Sequence, residues 1–153
     1  MQDDALGRDF AALFADTELQ LTLTSDFKSA AWRKLCPNCA GVLSALLLQP
    51  AGVMRDDGVG ETSRSLVREC LTVARAEGAV LEEELVESIL QTYRNAPPDA
   101  VNSLHADRIA GRPMEIDARN GVIVRLGRKH GIPTPRNQMA VALLSVMLRG
   151  GAS

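Results

Sequence analysis

Lys34 and Asn38 stand four residues apart, a spacing that puts both side chains on one face of a helix. An ammonium beside an amide, next to the break that Pro37 imposes, can offer a proton and a hydrogen bond to one substrate oxygen. A solvated lysine and a helix-bending asparagine are the plain alternative. Ser103, Glu115 and Asp117 form a second polar concentration, which can equally be a charged surface in which Asp107 and Arg108 make exposed pairs. Cys36-Pro37-Asn38-Cys39 has the spacing of a dithiol or of half a zinc site, but it falls inside a helical pattern and not at a strand-to-helix junction. Cys70, His105 and His130 are isolated, so ordinary buried thiols are expected, with no metal site and no thiol redox chemistry. Gly58-Val59-Gly60 carries part of the glycine spacing of a dinucleotide loop; no buried strand precedes it, and a flexible link is expected. Arg128, Lys129 and His130 read as a basic helix terminus.

The elements that must hold these groups are mostly helical. Leu6, Phe10, Leu13 and Phe14 recur at helical spacing over residues 6–14. Residues 18–24 then alternate, with Leu19, Leu21 and Leu23 on one side and Gln20, Thr22 and Thr24 on the other, as in a half-buried strand. No second strand of that quality follows, so this one needs a partner that the pattern does not supply. Ser25 is the expected N-cap, with Asp26 in the first turn, of a helix running through Trp32 toward Leu48 and kinked at Pro37. Further helices are expected over residues 62–76, 81–93, 100–110 and 114–129. Gly78, Gly111 and Gly131 mark the ends of three of them. Thr134 and Pro135 open a last helix through Met139, Leu143, Leu144 and Met147.

Composition narrows the class. The 153 residues suffice for one domain with a real core, and 46% hydrophobic with 24% charged residues excludes disorder. Leu, Ala and Val dominate while aromatics make up 3%, which favours helix packing over a β-sandwich. Net charge is −2 and the 17 basic residues are scattered, so nucleic-acid binding has no electrostatic footprint. The apolar-rich run at residues 42–48 is far short of the roughly 20 residues of a membrane span. The acidic start Met1-Gln2-Asp3-Asp4 is not a signal peptide, and a soluble, cytoplasmic protein is expected.

The order of three motifs is more specific than any one of them. Trp32-Arg33-Lys34-Leu35 with Asn38, followed by Leu43-Ser44-Ala45-Leu46, resembles the W-x-K-L-x-x-N … L-x-A-L opening of the C-terminal domain of ketopantoate reductases (2-dehydropantoate 2-reductases). Residues 103–121 are similar to the same family's S-M-x-x-D-x-x-x-G-R-x-x-E-I-D-x-x-N-G stretch, and Gly131-Ile132-Pro133-Thr134-Pro135-Arg136-Asn137 is similar to its G-x-P-T-P-x-N close.

The resemblance implies a mainly α, multi-helix domain similar to the C-terminal domain of 6-phosphogluconate dehydrogenase, with one N-terminal strand left from a Rossmann domain. Residues 1–24 would be the last helix and strand of that domain, 25–150 the helical substrate-side domain, and 151–153 a tail. It implies NADPH-dependent reduction of ketopantoate, or a related 2-keto acid, to the 2-hydroxy acid in pantothenate biosynthesis. Carried over, Lys34 matches the general acid, Asn38 the amide that orients the substrate oxygen, and Ser103 the hydroxyl that binds the substrate carboxylate. Glu115 matches the carboxylate that positions the lysine and meets the cofactor side. Val42 stands where the family often has a second asparagine, and Asn102, Leu104 and His105 depart from the usual S-S-M-L wording. No strand–loop–helix unit for NADPH is legible, so the chain by itself is expected to be inactive. A non-catalytic helical module, pairing as a homodimer, is the alternative.

Overall fold

The computed structural model describes residues 1–150; the expected tail, 151–153, lies outside the described residues. Among the described residues the chain forms α1 (Ala5–Ala12), α2 (Phe27–Ala40), α3 (Val42–Leu47), α4 (Asp57–Ala76), α5 (Glu84–Asn95), α6 (Ser103–Ile109), α7 (Val122–Lys129) and α8 (Pro135–Gly150). A 3-10 turn, Ala51–Arg55, precedes α4, and a π turn, Asp117–Gly121, leads into α7. The expected mainly α class is what the chain adopts.

The alternating segment at 18–24 does not form a strand ladder here. Its end makes one parallel bridge, Gln2 with Thr24, through Asp3 N to Thr24 O at 2.8 Å and Thr24 N to Met1 O at 2.9 Å. Alternation prepares a face, but a ladder needs a neighbouring strand, and among the described residues Met1–Asp3 is the only backbone that pairs with it. Three other expectations shift. Asp26, not Ser25, caps α2, because its carboxylate accepts from Ser29 N at 3.0 Å, the reach an N-cap oxygen needs. Gly58 and Gly60 are not in a link but in the first turn of α4, which starts at Asp57 under an Asp56 cap. The helix expected over 114–129 is interrupted by the π turn, closed by Gly121 N to Ile116 O at 3.0 Å.

The central element is α4. Its buried face, Leu66, Val67, Cys70, Leu71, Val73 and Ala74, follows the helical repeat, and it packs against α2, α5, α7, α8 and the 3-10 turn. Gly60 lets α5 come close, since a Cβ there would meet Arg94 Nη2 at 2.9 Å.

The proline-bearing end of α2 is fixed by side chains from elsewhere. The last carbonyls of a helix run short of helical partners, and here three distant residues add donors, one of them to Pro37 O, which also accepts from Gly41 N at 3.0 Å. Tyr93 Oη from α5 donates to Pro37 O at 3.0 Å, Asn120 Nδ2 from the π turn donates to Cys39 O at 3.1 Å, and Asn102 Nδ2 donates to Gly41 O at 3.0 Å. Asn120 and Asn137 are fully buried and joined, Asn120 Nδ2 to Asn137 Oδ1 at 2.9 Å. Asn137 in turn donates to Glu69 Oε2 at 2.7 Å, and Glu69 accepts the backbone N–H of Arg136 and Asn137 at the start of α8. Replacing Asn120 by Ala strands two buried acceptors, so urea unfolding should show a loss of about 2–4 kcal/mol. A loss within about 0.5 kcal/mol, the scatter of ordinary surface changes, would show that the network does not hold the fold.

Candidate active site

Lys34 and Asn38 fall one turn apart on α2, as their spacing requires. Lys34 is exposed and Asn38 half-buried, and neither side chain makes a hydrogen bond or ion pair among the described residues. Lys34 lies on a cleft of about 570 Å³ between α2 and the extended segment before it, with Thr22, Thr24, Phe27, Ala30 and Ala31 on its walls. An unpartnered ammonium at the mouth of a largely apolar cleft can hydrogen-bond and protonate an oxygen brought to it.

The second polar concentration is assembled by α6 and the π turn. Ser103 opens α6, whose cap is Asn102: its Oδ1 accepts from His105 N at 3.0 Å while its Nδ2 holds Gly41 O. Arg119 projects from the π turn and donates through Nη2 to Ser103 Oγ at 2.9 Å. Glu115 Oε2 lies 3.6 Å from the same guanidinium nitrogen. The structure therefore groups Ser103, Glu115 and Arg119, whereas Glu115 and Lys34 are not paired. The π turn packs against α2, and the Asn120 bond to Cys39 O joins the two groups of candidate residues through the end of one helix.

Tyr93, Asn102, Arg119 and Asn120 were not singled out from sequence. Arg119 had a signal, its i,i+4 spacing from Glu115, submerged in a run dense with charges. Gly41 had none: its backbone is helical, and glycine is needed because a Cβ would meet Tyr93 Oη at 3.0 Å and Asn102 Nδ2 at 3.2 Å. The remaining candidates serve structure. Cys36, Cys39 and Cys70 are fully buried; the contact of Cys36 with Cys70 at 3.6 Å, and then burial, push the Cys36 thiol far above its ordinary value. That removes the thiolate needed for redox or nucleophilic work. Among the described residues no His, Cys, Asp or Glu cluster could hold a metal. His105 is buried with neither ring nitrogen hydrogen-bonded, and His130 faces Glu77.

The first turn of α4, with Gly58 and Gly60, does not fit a dinucleotide's pyrophosphate: Asp56 already takes Val59 N and Asp57 adds a second carboxylate where the anion would sit. No helix of the described residues is long and apolar enough to cross a membrane.

The family model described as Ketopantoate reductase PanE/ApbA C terminal matches residues 26–147. The chain belongs to this family. A 2-dehydropantoate 2-reductase of Caulobacter vibrioides is 58% identical over 139 residues, which are 91% of this chain and 48% of that protein. A dimeric ketopantoate reductase from Staphylococcus aureus superimposes with a TM-score of 0.91 at 29% identity, over 97% of this chain and 52% of that one. A D-mandelate dehydrogenase solved with NADH shares the fold at a TM-score of 0.87 and 22% identity, over 97% of this chain and 51% of its own. The chain thus spans about half the length of the curated relatives it matches, and within the ketopantoate reductase family it corresponds to the helical C-terminal domain.

Tyr93 reports on the cap that organises this site. Burial pushes its phenol up to about 12, with nearby Cys39 acting in the same direction and the Arg119 charge opposing. Because the folded value lies above the ordinary 10.0, the phenol's contribution to stability is complete below pH 10 and lost as pH rises through about 12. Tyr93 is the chain's only tyrosine, so an alkaline absorbance titration should show a single midpoint near 12. A midpoint at 10.0 would mean that the phenol is not held against Pro37 O.

Proposed function

We propose that this chain is the substrate-binding and proton-donating domain of a 2-dehydropantoate 2-reductase-like enzyme, which reduces ketopantoate or a related 2-keto acid to the 2-hydroxy acid. One observation carries the reading: Lys34 and Asn38, without partners among the described residues, share one face of a helix whose end is held from three other elements. In this reading the Lys34 ammonium gives a proton to the carbonyl oxygen as its carbon is reduced, and its charge stabilises the developing alkoxide. The Asn38 amide donates to the same oxygen and fixes its direction. Ser103 holds the carboxylate end. Glu115, exposed and without a hydrogen bond to Arg119, takes the second role that the resemblance gives it, beside the lysine on the cofactor side.

NADPH, the reductant that the resemblance implies, meets this chain at Glu115 in the same reading, and no other residue of the chain is assigned to it. Residues 1–24 read as the closing helix and strand of a dinucleotide-binding fold. Leu6, Leu13 and Leu19 support this, being 78%, 75% and 58% exposed with nothing in the chain to cover them. Val42 is fully buried at the start of α3, so the place of the family's second asparagine offers the cleft no polar group, and a related 2-keto acid stays open as substrate.

A second reading, a non-catalytic module that pairs as a homodimer, is favoured by an apolar groove of about 440 Å³ between α3, the first turn of α4 and α8. Leu47, Met139, Leu143 and Met147 there are 41% to 46% exposed. Sedimentation at rising concentration should show a dimer that Leu143→Glu dissociates; a monomer at every concentration removes this reading.

For the reductase reading, the enzyme carrying this chain together with a dinucleotide-binding half is compared with its Lys34→Ala variant. The expected result is a kcat about 100-fold lower or more with KM little changed, because the lysine's proton moves only during the reaction. A rise in KM with kcat intact would take the acid role away from Lys34.

A further inference from the structure

Arg119 is the least exposed of the arginines that form ion pairs in this chain, at 12% of its side chain. A cation taken out of water needs a close counter-charge, and the other shielded arginines have one. Arg64 makes two hydrogen bonds to the Glu87 carboxylate, and Arg94 bonds Met54 O and Asp57. Arg119 has only Glu115 among the described residues, at 3.6 Å and without a hydrogen bond. Its fork of N–H donors makes one side-chain hydrogen bond among the described residues, to Ser103 Oγ. The guanidinium is thus shielded, incompletely compensated and held beside a hydroxyl.

Its position is fixed on both sides. The next residue, Asn120, is buried and tied to Cys39 O and Asn137, and Ser103 follows the Asn102 cap that grips Gly41 O. The π turn is what separates these neighbours: it turns Asn120 into the core and Arg119 toward Ser103. A planar fork with unused donors, next to a hydroxyl on a rigid base, matches a carboxylate that it can bind through two oxygens.

We propose that Arg119 is the carboxylate-binding residue of the substrate site, taking the acid end of a 2-keto acid together with Ser103. This rests on the reductase reading for the placement of the keto group at Lys34 and Asn38. The substrate carboxylate then supplies the counter-charge that Glu115 supplies only weakly, and Glu115 is released from Arg119 for its place beside Lys34. Neutral carbonyl compounds of the same shape are excluded because they leave the guanidinium uncompensated.

The test uses the chain itself, titrated calorimetrically with ketopantoate and with its uncharged amide. The unmodified chain should bind the acid about 10-fold or more tightly than the amide, the difference expected for a charge-assisted pair. Arg119→Met should bring the two within about 2-fold, and Arg119→Lys, which keeps the charge but not the fork, should retain part of the preference. The side-chain N–H signals of Arg119, followed by NMR in the unmodified chain, should move with ketopantoate and not with the amide, which covers the case of a variant that does not fold. An unchanged preference in Arg119→Met, or side-chain signals that ignore saturating ketopantoate, overturns the assignment and leaves the Lys34 reading standing. An unmodified chain that binds neither compound overturns the assignment and the reductase reading together.

Discussion

The last turn of α2 is the constraint from which the site follows. The last carbonyls of a helix run short of helical donors, and burying one unpaired would cost about 1–3 kcal/mol; at this end Gly41 N serves Pro37 O at 3.0 Å, and the other donors come from outside the helix. They are Tyr93, Asn120 and Asn102, which arrive from α5, the π turn and the cap of α6. Each donor fixes the element that carries it. Lys34 and Asn38 ride on the capped helix, Ser103 follows one capping residue and Arg119 precedes another. A backbone requirement and the assembly of the candidate site are therefore one set of contacts. Gly41 belongs to the same set, since two of the donors reach the backbone only where no Cβ intervenes.

The three motifs that carry the family resemblance meet physically in this region. Asn120, from the D-x-x-N-G stretch, lies between Cys39 O, just past the W-x-K-L-x-x-N opening, and Asn137, from the G-x-P-T-P-x-N close. Asn137 passes the connection on to Glu69 of α4. Buried amides of this kind are tolerated only when their donors and acceptors are matched, so each asparagine constrains the others. Motifs separated by some 80 residues in the chain are thus parts of one hydrogen-bond network, with Asn120 and Cys39 81 positions apart.

The parts of the fold governed by local chemistry were legible in the sequence. Helical spacing located α4, α5 and α8, and Gly78, Gly111 and Gly131 end their segments with φ of +87°, +64° and +67°. The Lys34–Asn38 pair followed from a four-residue interval. What was illegible depends on distant partners. The alternating leucines of 18–24 look like a strand, but their backbone meets only Met1–Asp3. The π turn breaks the helical period for the sake of where Asn120 must point, and Asn120's partner is 17 residues further on. Gly58 and Gly60 looked like a link because glycine usually marks one. They are helical because Asp56 caps the turn, its carboxylate accepting from Val59 N at 3.0 Å.

The same distinction explains why Arg119 was hidden and Lys34 was not. Lys34 stands out because Ala30, Ala31 and Pro37, three and four residues away on its face of α2, are uncharged and small, whereas Arg119 sits among Arg112, Glu115, Asp117 and Arg125, where another charge carries no information. Only burial separates it from them. Arg112 and Arg125 keep 59% and 53% of their side chains in water and pair with Asp107 and Asp117, contributing little. Arg119 gives up most of its hydration and receives a hydroxyl and a distant carboxylate in return. The fold thus places a shielded cation, on a turn whose next residue anchors the core, with one carboxylate partner among the described residues that does not hydrogen-bond to it, the arrangement behind its proposed carboxylate-binding role.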